Sequence, residues 1–406
     1  MPELCRLGEV IQAESVRRMG RDRGVGGGRF GVCHRPMKGE IGNHRIALAH
    51  DWLVGLRGGE WVLDRLARLF GPTDLYTLVN DGRPLTEAIS ACRVVTSPLQ
   101  RFPGAAGQWR RYYLPLMPWA VGRLNVGPCD LLISTSSAVM KSIKPPPGTP
   151  HLCYCHSPAR YVWGQAAAYA VGSGGRLRSL GLRAVRRPFQ RWDRASSDRV
   201  TKFLANSIHT ARRVSLCYGC EAEVVYPPVR TRWFTTDPSV AREDWLAVVA
   251  ALEPYKRTEL AIQAANRTGI KLKIAGHGSQ FEALRALAGP TVEMLGRVDD
   301  STLRDVYRRA RALVFCQAED FGLTAVEAQA TGCPVIAYAA GGALESVTPS
   351  TGVFFGEQTV EALIDAVAAL DRMEIDPAAC RRNAERFSED NFDRAMIQKA
   401  LSLLEA

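Results

Sequence analysis

Short apolar runs punctuate this chain, and between them lie stretches in which apolar residues return every three or four positions. Runs at Arg45–Ala49, Asp130–Ser134, Leu152–Cys155, Phe203–Ser207 and Glu223–Tyr226 read as strands of a first half. Leu246–Leu252, Leu272–Ala275, Val292–Leu295, Ala312–Phe315 and Val335–Tyr338 read as strands of a second. Helical spacing follows Gly58-Gly59-Glu60, where Val62, Leu63, Leu66, Leu69 and Phe70 share a face. It recurs near Glu259–Thr268, Ser279–Leu287, Ser301–Arg311, Phe321–Thr331, Val360–Leu370 and Phe392–Leu404. In the second half, strands alternating cleanly with helices predict an open, mostly parallel sheet with helices on both faces and ligands at the C-terminal strand ends.

At 406 residues the chain is too long for one ordinary core. The pattern divides it into an N-terminal extension (1–43), a first domain (44–228), a linker (229–242), a second domain (243–385) and a C-terminal helix (386–406) expected to pack back on the first domain. The extension carries a Gly/Arg-rich run, Gly20–Gly31, and is expected to be mobile. Met37 is an alternative start. Gly24-Val25-Gly26 has no strand before it, so it does not make a dinucleotide fingerprint.

Composition is that of a soluble globular protein, 46% hydrophobic and 23% charged. A formal charge of +11 favours polyanions, anionic lipid surfaces or phosphorylated substrates without choosing among them. The longest uncharged run, Ala328–Leu344, is broken by Gly332, Pro334, Gly341 and Gly342, so no bilayer span of about 20 apolar residues is expected. No apolar leader opens the chain, and the 11 cysteines lack a framework, which together point to a cytoplasmic protein with reduced thiols. Cys153-x-Cys155 with Cys217-x-x-Cys220 is a weak candidate for zinc.

Several turns carry candidate chemistry. Glu319 lies where the strand Ala312–Phe315 gives way to a helix, and Glu327 lies eight residues on, which would set the two about 80° apart around a helix axis, both bordering one cleft. The alternative is an ordinary solvated helix start, since acidic residues favour that end. Gly58-Gly59 after a strand suits a phosphate at a helix N-terminus, the alternative being a tight turn. Pro254-Tyr255-Lys256-Arg257, Gly276-His277-Gly278 and Gly341-Gly342 mark the same sheet edge. Arg101–Val121 mixes bases with aromatics and reads either as a surface that docks on a membrane or, for most of it, as packing inward with a basic rim exposed, the second being expected. Arg176–Arg194, with seven arginines and one acidic residue, reads either as a membrane-surface helix kinked at Pro188 or as a solvated outer helix.

Taken in order, these segments resemble the retaining GT-B glycosyltransferases of the large group that includes bacterial mannosyltransferases, family 4. The resemblance runs through His50-Asp51-Trp52-Leu53 with Gly58-Gly59-Glu60, Tyr154-Cys155-His156-Ser157-Pro158, Asn206-Ser207, Val225–Val229 and Pro254–Arg257. It continues over 319–347, where Glu319 and Glu327 supply the group's Glu-x7-Glu signature. It implies two Rossmann-like doubly wound α/β domains facing a central cleft, the first on the acceptor side and the second holding a nucleotide sugar.

The implied catalytic residues are Glu319 at the donor sugar, His156 beside sugar and phosphate, and Lys256 against the diphosphate. Glu327 is implied to hold the ribose, and Gly58, Gly59, Arg257, Gly276, Gly322, Leu323 and Thr324 to complete the donor site. Many relatives carry an arginine a few residues before that lysine; here Ala250-Ala251 stand in its place, and Arg257 is a candidate substitute. No Asp-x-Asp pair is present, so neither a metal nor any other cofactor is expected. The implied activity is hexosyl transfer, mannose from GDP-mannose, onto a lipid-linked or cell-surface glycan, with peripheral contact at the cytoplasmic face of the inner membrane and no nucleic-acid partner. A UDP-sugar donor is the nearest alternative. A nucleotide-sugar epimerase and a non-catalytic binding subunit are more distant ones.

Overall fold

The computed structural model describes residues 42–107, 109–163 and 186–405. The N-terminal extension up to residue 41 and positions 176–185 of the basic stretch lie outside these. From Glu40 onward the chain is one compact unit.

Strands β1 (Ile46–His50), β2 (Asp74–Thr77), β3 (Arg93–Thr96), β4 (Leu131–Ser136), β5 (His151–Cys155), β6 (Lys202–Ala205) and β7 (Ala222–Val224) form one sheet in the order β3-β2-β1-β4-β5-β6-β7. Strands β8 (Leu246–Val249), β9 (Leu272–Ala275), β10 (Val292–Gly296), β11 (Ala312–Phe315), β12 (Val335–Tyr338) and β13 (Gly352–Phe355) form a second, in the order β10-β9-β8-β11-β12-β13. The pairing is parallel throughout, as between β1 and β4 and between β11 and β12. Helices on both faces bury the central strands completely, which is why β1, β4, β5 and β11 read as unbroken apolar or small-residue runs. Each sheet reverses its order beside its first strand, at β1/β4 and at β8/β11. There the connections leave on opposite faces and open a crevice at the strands' C-terminal ends.

Two segments tie the domains together. The stretch expected as a linker is anchored, not loose: Val229 and Phe234 are buried in the second domain's core, and the Val229 amide donates to the Phe387 carbonyl at 2.9 Å. The final helix, Glu389–Leu404, places Phe392, Met396, Ile397 and Ala400 in the first domain's core. There Phe392 meets the Tyr154 ring edge-on, and Arg65 donates from Nε to Asp393 Oδ1 at 2.7 Å. The chain therefore crosses between domains twice, between Val225 and Val229 and again between Phe387 and Phe392.

Elsewhere the sequence reading needs amendment. In the 101–121 region Leu114, Met117, Ala120 and Val121 are buried, yet Trp109, Tyr112, Leu116 and Trp119 are exposed, so the rim is aromatic as well as basic. The described part of the basic stretch is a helix over 186–195 that buries Phe189 and Asp193 and leaves Arg187, Arg191 and Arg194 in solvent. Asp193 is held by Lys141 at 3.0 Å and by the Trp163 indole at 2.6 Å. Cys153, Cys155 and Cys217 pack with Phe203, Val214 and Tyr218, and burial pushes the Cys153 thiol up to about 12, the reverse of what zinc ligation needs. Among the described residues no cluster of three or more His, Cys, Asp or Glu is arranged to hold a metal ion, and no helix is long and apolar enough to cross a membrane.

Candidate active site in the interdomain cleft

Both sheets aim their β1/β4 and β8/β11 edges into the cleft. On the first domain's side β1 ends at His50, and the chain turns through Gly58-Gly59 into the helix Gly58–Phe70. Its first turn is closed by Glu60, which accepts from the Arg57 amide at 3.0 Å. β5 delivers His156 beside that turn: a Cβ on Gly59 would lie 3.6 Å from His156 Nε2 and 3.5 Å from the His50 ring. His156 Nε2 is buried with no hydrogen-bond partner, the kind of orphaned polar atom that marks a ligand contact. Burial, with His50 nearby, pushes His156 down to about 3, so the imidazole is neutral and acts as a hydrogen-bonding group. Asp51, by contrast, is structural. Its carboxylate accepts from the amides of Ser137, Ala138, Val139 and Met140 at 2.5–2.9 Å and fixes the loop after β4.

On the second domain's side β11 ends at Phe315 and the chain reaches Glu319 before any helix forms. The helix spans Leu323–Ala330, so Glu319 stands in the preceding loop and the 80° estimate does not apply. Its place is set by Gly341-Gly342 instead. Glu319 and Gly341 form an isolated parallel bridge, and the Gly342 amide donates to the Glu319 carbonyl at 2.8 Å. Gly322 adopts left-handed backbone (φ 90°) because the chain must turn sharply over Phe315; a Cβ there would sit 2.7 Å from the ring. No side chain caps the helix that follows. Across the cleft, a Cβ on Gly58 would lie 2.9 Å from Leu323 Cδ1. The glycine turn of one domain thus abuts the 322–324 turn of the other.

Lys256 closes the short helix Pro254–Lys256 after β8 and makes direct contact with Glu319 Oε1. Burial, with the Arg160 guanidinium adding to it, pushes the ammonium down to about 7 against Asp320, while contact with the Glu319 carboxylate works in the opposite direction. Arg257 does not stand beside it. The backbone at Arg257 is left-handed (φ 54°), and its guanidinium turns away to Glu259 at 2.6 Å. Gly276 packs so tightly on the end of β8 that a Cβ would run into the Ala250 carbonyl, and its amide donates to Gly296 at 2.7 Å; here glycine serves close packing between strand ends. Glu327 is half-buried one turn into its helix and accepts from the Tyr307 hydroxyl at 3.1 Å, desolvation raising its carboxyl although Arg230 opposes. Arg230 itself lies 4.2 Å over the Trp61 ring and pairs with Asp300.

A buried cross-cleft ion pair is not apparent from the sequence. Asp320, 5% exposed, is held by two first-domain arginines, Arg160 on Oδ2 and Arg213 on Oδ1 at 2.5 Å. These hold its carboxyl down at about 2 although burial works the other way. Nearby, Glu345 accepts from the Ile208 and His209 amides at 2.8 and 2.9 Å, at the start of the helix Ile208–Tyr218. Breaking a buried pair of this kind costs about 3–5 kcal/mol. The signal for Arg160 and Arg213 was faint, since one follows a Pro-Ala step and the other sits mid-helix.

Two doubly wound domains joined by a double crossing, with paired glycine turns and strand-end carboxylates facing a cleft, define the GT-B fold. Residues 230–387, essentially the second domain, match the family described as Glycosyl transferases group 1. Among curated proteins, the D-inositol 3-phosphate glycosyltransferase of Gordonia bronchialis is 30% identical over 237 residues, covering 49% of this chain and 52% of that one. The Kribbella flavida enzyme of the same name is 34% identical over 207 residues, covering 42% and 48%. The chain thus matches about half the length of these curated relatives. Among solved structures, sucrose-phosphate synthase from Thermosynechococcus elongatus superposes with a TM-score of 0.66 at 17% identity, covering 89% of this chain and all of that one. Anabaena Alr3699/HepE, in complex with UDP and glucose, gives 0.64 at 16% over the same shares.

Proposed function

We propose that this protein transfers a hexosyl group from a nucleoside-diphosphate sugar to a hydroxyl acceptor with retention of configuration. The observation that carries this reading is the opposition of Gly58-Gly59 and His156 to Lys256, Glu319 and the 322–324 turn across one cleft. The diphosphate lies against Lys256 and the uncapped helix start, where positive charge and backbone N–H groups stabilise the leaving group. Glu327, fixed by Tyr307, presents acceptor oxygens to the ribose diol. In the reaction the bond from the anomeric carbon to phosphate oxygen breaks, the acceptor oxygen bonds to that carbon from the same face, and the departing phosphate takes the acceptor's proton. Glu319 stabilises the developing positive charge without bonding to it; recovery of a glycosyl adduct on Glu319 would count against this version.

The donor we favour is GDP-mannose, on the resemblance to mannosyltransferases, with a UDP-hexose as the second reading. The name of the curated relatives adds a phosphorylated polyol to the acceptors worth testing beside a lipid-linked glycan. Nucleotide release measured over a panel of GDP- and UDP-sugars, with inositol 3-phosphate and polyprenyl-linked glycans as acceptors, separates these. Release from GDP-mannose alone is expected; inertness towards every donor would sink the reading.

A lipid-linked acceptor requires the protein at a membrane surface. Trp109 (50% exposed), Tyr112 (62%), Leu116 and Trp119 are exposed in a stretch with five arginines and no acidic residue between Glu87 and Asp130. Aromatics and arginines together suit an anionic interface. Replacing Trp109 and Trp119 with serine is expected to reduce co-sedimentation with anionic vesicles several-fold. Unchanged pelleting would remove this patch from the membrane contact.

A further inference from the structure

The proposed phosphate site draws one cation, Lys256, from the second domain. The second domain brings Lys256 to the end of β8, alanines stand at 250 and 251, and Arg257 faces Glu259. A departing nucleoside diphosphate carries two or more negative charges, and one ammonium that is already in contact with Glu319 leaves most of that charge unmatched. Arginine, whose planar fork binds two phosphate oxygens at once, is the side chain suited to the gap.

We propose that Arg160 is the second cation of the diphosphate site, delivered across the cleft from the first domain and aimed by Asp320. The inference rests on the donor reading above. Arg160 follows His156-Ser157-Pro158 by two residues at the C-terminal edge of β5, so it leaves the sheet on the same side as His156. Asp320 takes the Nε and Nη2 edge of its guanidinium, with Nε at 3.1 Å. Asp320 is the chain neighbour of Glu319, and Glu319 touches Lys256. Arg160 and Asp320 on one side and Glu319 and Lys256 on the other are therefore two contacts joined by one peptide bond, running from one domain to the other. With Arg213 on the second oxygen of Asp320, three fixed cations face two carboxylates, a surplus suited to an anion. The charge of Arg160 is also felt at both His156 and Lys256, the two groups the diphosphate and sugar are expected to lie between. Asp320 is a positioning residue in this arrangement. It fixes the plane of the guanidinium before the ligand arrives, which cuts the cost of ordering a long side chain on binding.

A purely structural Arg160, an interdomain ion pair and nothing more, makes the same contact with Asp320 but does not distinguish ligands by their phosphates. Calorimetric titration of the full chain with GDP, UDP, GMP, UMP and inorganic pyrophosphate tells the two apart. Arg160→Ala is expected to weaken GDP or UDP, and pyrophosphate, by roughly 10- to 100-fold, and the monophosphates by less than about threefold. Arg160→Lys should recover only part of the loss, and Asp320→Asn, nearly isosteric, should lower the diphosphate preference by a smaller factor. Thermal unfolding of each variant shows whether the domains remain assembled. Equal losses on mono- and diphosphates, or none, would overturn the proposal and leave the donor reading standing. A wild-type protein that binds pyrophosphate through Arg160 but no nucleotide would do the opposite. Binding of none of the five probes would overturn both.

Discussion

Glu319→Gln is expected to lower transfer by roughly 10²–10³-fold, the scale seen when one oriented charge is removed from a developing transition state. The change keeps shape and volume and removes only the negative charge, so the loss should fall on kcat, with the KM for donor changing little. It also has a pH signature. Lys256, which burial already holds down to about 7, loses a touching carboxylate in the variant, so its ammonium is lowered further. An anionic diphosphate favours the charged form and raises that pKa on binding. Affinity of the variant for GDP or UDP is therefore complete only below the lowered pKa of the free protein and declines as pH rises from there to the pKa of the bound state. In the wild-type protein, with Glu319 in contact, the decline should begin at higher pH. Titrations at pH 6.5, 7.5 and 8.5 in buffers of different ionisation heat would show proton uptake by the variant at the higher values. Unchanged turnover in Glu319→Gln would remove this residue from the reaction.

The second large effect is expected from a position that carries no side chain at all. Gly342 has ordinary backbone (φ −67°), so alanine is not opposed by conformation. It is opposed by space: a Cβ would lie 2.6 Å from the Phe321 carbonyl and 2.7 Å from that of Asp320, and closer still to Phe321 Cα. These are backbone atoms, and only movement of the whole 319–321 loop relieves them. Overpacking of this sort costs about 1–3 kcal/mol or more, to which the weakened grip of Arg160 and Arg213 on Asp320 adds. A displacement near 1 Å at a catalytic group can cost ~10²-fold in rate. Gly342→Ala should therefore lower both Tm and kcat, and Gly356→Ala, where a Cβ meets nothing within 4 Å, is the control. Full activity in Gly342→Ala would mean that the bridge to Glu319 does not set its position.

The repeating strand-and-helix pattern made the architecture legible because parallel strands are buried on both faces and leave dense apolar runs. β2 and β3 escaped because Asp74-Leu75-Tyr76-Thr77 and Arg93-Val94-Val95-Thr96 are four residues each with polar ends, too short to show a period. The helix Ile208–Tyr218 escaped although its Ser207 cap and its Gly219 terminus are ordinary punctuation, since its apolar face is sparse. Of the candidate site, the residues that announce themselves by type were readable: glycine pairs, a strand-end histidine, a lysine after a proline turn. What one sequence does not show is which charges meet across a cleft. Asp320 lay within the quoted motif, yet its partners are 107 and 160 positions away and on the other domain. Nor does it show side-chain direction, which sent Lys256 inward and Arg257 outward from adjacent positions.

The double crossing between the domains has a mechanical meaning. Val229 bridges to Ser388, so the outgoing and returning segments lie side by side as a narrow ribbon. A single strand between two bodies lets them swivel freely, whereas a ribbon bends across its flat face and resists twisting and in-plane bending. The two halves are thus restricted to something close to a one-axis motion, like the covers of a book about its spine. Such a spine holds Asp320 to the same two arginines and Gly58 to the same leucine, with no freedom to search over orientation.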